Sequence, residues 1–107
     1  MAFRERVAAV RKRPGMFGLD GSYPAYVLFL RGCDFATEFA LLRGFAGWLN
    51  RRIGEESSLD WPDLCLRLAF DVESGADTRR PATPAEHELA ADTLFTLLDE
   101  FLTREMA

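Results

Sequence analysis

The chain has 107 residues, 49% of them hydrophobic and 28% charged, with a net charge of −4. That length has room for one domain around one core, and the composition lies far from the polar, highly charged bias of disordered chains. No apolar run approaches the roughly 18–20 residues of a membrane span, and Cys33, Cys65 and the single histidine, His87, lack zinc-ligand spacing.

From Ala2 to Lys12, Phe3, Val7 and Val10 recur at helical spacing with Arg and Glu between them, which predicts a basic amphipathic first helix. Arg13-Pro14-Gly15 ends it, because the residue before proline is pushed out of the helical region and glycine permits a sharp turn. A loop then runs to about Tyr23. Pro24 suits the first position of a second helix, and Ala25 to Leu30, apolar on every side, makes that helix the expected buried centre. With a break placed at Gly32, the series Phe35, Phe39, Leu42, Ala46, Leu49 and Ile53 predicts a third helix, stopped by Gly54.

Glu55 to Ser58 is a short polar connector. Asp60-Trp61-Pro62-Asp63 reads as a helix start with Asp60 as cap, yet Leu64, Leu66, Leu68, Phe70 and Val72 alternate as a half-buried strand would. A helix is taken, because no second strand is visible to pair with it. Residues 73–82 read as an exposed loop. Thr83-Pro84-Ala85-Glu86 then forms a capping box, and Leu94, Leu98 and Phe101 carry a long amphipathic helix to about Arg104.

Charge is uneven along the chain. Residues 1–54 hold nine Lys or Arg against four acids, and residues 55–107 hold four Arg against thirteen acids. Either the halves neutralise each other in the fold, which is the favoured reading, or they form opposed patches for partners. No nucleophile–base pair or paired carboxylates are evident, and His87 reads as a surface histidine. The segment with local character is Val10 to Gly18. Arg11, Lys12 and Arg13 at a helix end, with Gly15 and Gly18 in the loop that follows, offer guanidinium groups and backbone N–H groups together, as anion or partner sites do. The structural alternative has these cations neutralise the helix end and pair with acids of the last helix, while Pro-Gly makes the turn and Met16 and Phe17 fill the core.

The string Val10-Arg11-Lys12-Arg13-Pro14-Gly15-Met16-Phe17 resembles a segment near the N-terminus of the ATPase subunit of DNA gyrase and its type II topoisomerase relatives. In that family the following helix carries a catalytic Glu and then an Asp-Asn pair. With Asp34 laid on the family's aspartate, Leu30 and Phe35 stand where the Glu and Asn belong, so ATP hydrolysis is not implied. A second resemblance covers more of the chain. Small, largely uncharacterised bacterial proteins of about this length begin with an Arg-Pro-Gly-Met-Tyr-type motif, continue into an aromatic-rich helix, and close with a Trp segment and an acidic Phe-Leu-rich helix. The matching residues are Arg13 to Gly18, Phe29 to Gly32 with Cys33 in place of a tyrosine, Trp61, and Phe95 to Phe101. Some of those relatives resemble the immunity proteins that accompany bacterial toxins.

The expected fold is a single all-α domain over residues 1–107, of four to five helices with the second at the centre and the third and fifth packed over it. A small β element at 64–72 is the alternative. The expected function is that of a non-catalytic protein that binds a protein partner without a cofactor, in an immunity-like or accessory role. The start of the chain lacks the apolar region of a signal peptide, which points to the cytoplasm. The competing reading is a ligand-binding or enzymatic domain that holds a phosphate or carboxylate group at Arg11 to Gly18. A homodimer in which acidic and basic surfaces meet is a third. A nucleic-acid partner is not expected of an acidic chain with no base-reading module.

Overall fold

Turn chemistry sets the ends of every element in the computed structural model, which describes residues 3–54, 56–70 and 80–105. The first helix, α1 (Phe3–Lys12), buries Val7 and Val10 and stops before Pro14, where Arg13 leaves the helical region at φ −137° and ψ 67°. A single 3-10 turn, Pro14–Phe17, closes on Gly18 in the left-handed conformation at φ 76°. Helix α2 (Tyr23–Ala36) follows, then α3 (Phe45–Ile53), α4 (Trp61–Phe70) and α5 (Pro84–Glu105). At the start of α5 the capping box forms as expected: the Glu86 N–H donates to Thr83 Oγ1 at 3.1 Å, and the Thr83 N–H donates to Glu86 Oε1 at 3.3 Å. The described residues are all-α, with no strand among them. Residues 64–70 are therefore helical rather than a β element; residues 71 and 72, and 73–79 of the expected loop, lie outside the described residues.

Two expectations about the middle of the chain are overturned. Gly32 does not break the helix. It sits inside α2, where a glycine costs up to about 1 kcal/mol relative to alanine without ending the element. The break falls instead at 37–44, so the single third helix expected over Phe35 to Ile53 is cut. The cause lies in local side-chain bonds that compete with the helical ladder. Thr37 Oγ1 donates back to the Cys33 and Asp34 carbonyls and accepts from the Leu41 N–H, while Asp34 Oδ1 accepts the Leu42 N–H at 2.9 Å. Glu38 and Phe39 adopt positive φ, 56° and 65°, and Gly44 starts α3 at φ 85°.

The centre of the fold is α5 rather than α2. Helix α5 packs on all four other α-helices and buries Ala90, Ala91, Leu94, Phe95, Leu97, Leu98, Phe101 and Leu102. Against it lie Leu64, Cys65 and Leu66 of α4 and an aromatic cluster in which Phe45 meets Trp48, Trp61 and Phe101 at centroid distances of 5.1–6.2 Å. Tyr23 and Tyr26 of α2 are buried too, so both tyrosines and both tryptophans serve the core. The Cα radius of gyration, 13.4 Å, matches the roughly 13 Å of a domain of about 100 residues.

Candidate functional site

Arg11 faces inward across the fold. Its guanidinium donates to Asp92 of α5 and to the Tyr26 hydroxyl at 3.4 Å, and it lies 5.8 Å from the Tyr26 ring centroid. Partial burial works against its charge, but the hydrogen bonds with Asp92 and Tyr26 outweigh that and hold its pKa above the ordinary value. Lys12 and Arg13 are exposed and make no ion pair with a described residue. Gly15 and Gly18 form the turn, in which the N–H groups of Met16, Gly18 and Leu19 are already donated to Arg13, Gly15 and Pro14 carbonyls. Arg11 and three turn N–H groups are thus engaged within the fold, leaving Lys12 and Arg13 as the outward cations.

Met16 and Phe17 do not fill the core. Met16 is 73% exposed and Phe17 41%, and Leu28 (71%), Phe35 (72%) and Phe39 (56%) of α2 and the turn after it are exposed as well. Phe17 meets Phe29 edge-on at 5.5 Å, and Phe35 meets Phe39 in the same way at 5.9 Å. Between α1 and α2 lies a groove of about 450 Å³, floored by the buried Val10, Leu30 and Leu41 and walled by Phe3, Phe17 and Phe29. Arg6 and Thr37 are the polar residues on its lining, and Cys33 adds a half-buried thiol whose pKa burial raises. Exposed apolar area on the order of 500 Å² is at the upper end of what monomers leave uncovered, the range in which such patches serve recognition. The signal was present in the chain: a helix apolar on every side has more apolar surface than one neighbour covers.

A second depression, of about 550 Å³, lies beside the start of α5, where Arg11 and His87 share the lining with Asp20 and Glu88. His87 is half-buried there rather than a free surface histidine. Its Nδ1 accepts the Tyr23 N–H at 3.0 Å, satisfying one of the donors that a helix N-terminus leaves without an intrahelical partner. The nitrogen is thereby occupied. Burial pushes the Cys65 thiol up, which keeps it protonated and poor as a nucleophile. No group of three or more His, Cys, Asp or Glu able to hold a metal ion occurs among the described residues. No protein-family model matches the chain, and no curated protein or solved structure matches it.

Proposed function

We propose that this chain is a non-catalytic binding protein that holds a protein partner on the exposed face of α2 and the groove beside it. One observation carries the reading. In a fold that buries its tyrosines, its tryptophans and the apolar face of α5, Leu28 and Phe35 stand more than two-thirds exposed on the same helix. Two large apolar side chains seven residues apart lie on one helix face, where a partner covers both at once. Two polar side chains that would otherwise be candidates for chemistry are engaged: His87 with Tyr23, Arg11 with Asp92. The resemblance to immunity proteins gives the reading its form, a cytoplasmic chain that holds a toxin-like or other protein by surface complementarity. No described helix is long and apolar enough to cross a membrane.

The test is affinity purification of the tagged chain from its native host, alongside Leu28→Asp and Phe35→Asp variants. A single stoichiometric protein retained by the wild type and lost by both variants supports the reading; a partner held equally by all three moves binding off α2 and refutes it. Exposed Lys12 and Arg13 favour a second reading, an anion-binding site at the end of α1. Calorimetry with inorganic phosphate and nucleotides decides it, since heat that vanishes in Lys12→Glu/Arg13→Glu is required.

A further inference from the structure

We infer that the groove between α1 and α2 receives an amphipathic helix with acidic residues along its flank. The inference rests on the reading of α2 as the partner-binding surface, and it names the class of partner segment.

The backbone decides first. The described residues offer no strand edge, and the N–H and C=O groups along α1 and α2 are engaged in their own ladders. An extended peptide in the groove would meet only Arg6 and Thr37 as polar lining, leaving its own backbone donors and acceptors without partners. A helix brings its backbone already satisfied and presents side chains at i, i+3, i+4 and i+7, which suits an apolar trough bounded by two helices. The trough is wide enough for large side chains, at about 450 Å³.

Charge then fixes the flank. On the side of α1 that faces α5, Arg4 and Arg11 are paired with Asp99 and Asp92. On the groove side, Arg6 lines the trough and pairs with no described acid, while Lys12 lies with Arg4 and Arg11 on the α5 side. This cation beside an apolar floor is complementary to a helix with a Leu or Phe stripe and Glu or Asp beside it. A second copy of this chain fits less well. Its exposed apolar helix is α2, which carries only Arg31 and Asp34 as charges, and Asp34 is bonded to the Leu42 N–H.

The experiment uses three fluorescein-labelled peptides with the intact chain: one with a Leu stripe and Glu flanks, one with the same stripe and Lys flanks, and one with the Glu composition permuted to remove the stripe. Fluorescence anisotropy should show the Glu-flanked peptide binding at least about tenfold more tightly than either control, with Arg6→Glu erasing the preference over the Lys-flanked peptide. The same peptide should protect Cys33 from iodoacetamide, because that thiol lies on the groove wall. Equal binding of the three peptides, or an unprotected Cys33, overturns the inference. So does binding to phosphatidylglycerol vesicles with none to the peptides, or a dimer in sedimentation that Leu28→Asp dissolves. If the peptides fail while a host partner is still lost in Leu28→Asp and Phe35→Asp, the helical class falls and the α2 surface stands. A host partner indifferent to those variants removes both. Circular dichroism of each variant, all at exposed positions, confirms that it folds.

Discussion

The thiol of Cys65, on α4, faces the buried Tyr23 and is fully enclosed, and burial raises its pKa well above that of a free thiol. In the unfolded chain the same thiol ionises at about 8.5. An acid whose pKa is raised by folding favours the native state below its unfolded pKa and withdraws that support as pH rises, because only the unfolded form can release the proton. Urea midpoints should therefore be level below about pH 8 and fall above about pH 8.5, with Cys65→Ala removing on the order of 1 kcal/mol of the loss per pH unit. Identical slopes in the two proteins would show that the thiol ionises as easily folded as unfolded. Such residues differ in how readable they are. Thr83 and Glu86 form their capping box within four residues, so the sequence displays both partners. The bond from the Tyr23 N–H to His87 spans 64 positions, and no local pattern announces it. Leu28 and Phe35 have apolar neighbours throughout α2, so hydropathy alone ranks them with the core although they face out.

At the scale of elements, the join between α2 and α3 holds two consecutive non-glycine residues at positive φ. A left-handed residue with a Cβ costs roughly 1–2 kcal/mol, and glycine there avoids the clash at an entropic cost of about 0.5–1 kcal/mol. Glu38 is exposed, and its carbonyl accepts a bond from Arg43 that the backbone supplies whatever the side chain. Glu38→Gly should then raise stability by about 0.5 kcal/mol in chemical denaturation, whereas Thr37→Val, which removes the hydroxyl bonds to Cys33, Asp34 and Leu41, should lower it by about 1 kcal/mol. A destabilised Glu38→Gly would mean that the left-handed turn carries no strain. This join is also where reading from periodicity ended in a wrong helix. Phe35, Phe39, Leu42, Ala46, Leu49 and Ile53 keep a helical rhythm across the break, but the rhythm records which residues are apolar, while Asp34, Thr37 and Gly44 decide whether the backbone can continue. α1, α4 and α5 are legible because proline or a capping box marks a boundary of each: Pro14 just beyond the end of α1, Pro62 in the first turn of α4, and the Thr83–Glu86 box at the start of α5.

Across the whole molecule, part of the uneven charge is paired internally. Arg4–Asp99, Arg11–Asp92, Arg31–Asp60 and Arg52–Glu100 each join a cation of the basic half to an acid of the acidic half, and three of the four fasten α1 or α3 to α5. Exposed pairs of this kind are weak and screened by salt, so they orient α5 more than they stabilise it. The same pairing withdraws four cations and four acids from any dimer held by opposed acidic and basic faces. The exposed Leu28, Phe35 and Phe39 are apolar, and apolar association is insensitive to screening or favoured by salts that are excluded from surfaces. Sedimentation at tens of micromolar should therefore show a monomer in both 0.05 M and 1 M NaCl, with stability falling by no more than about 1–2 kcal/mol between them. A dimer at low salt that dissociates at high salt would mean that the charged faces look outward to a partner after all. A dimer that persists or strengthens at high salt would place a second copy on the α2 face, leaving no room for an acidic helix in the groove.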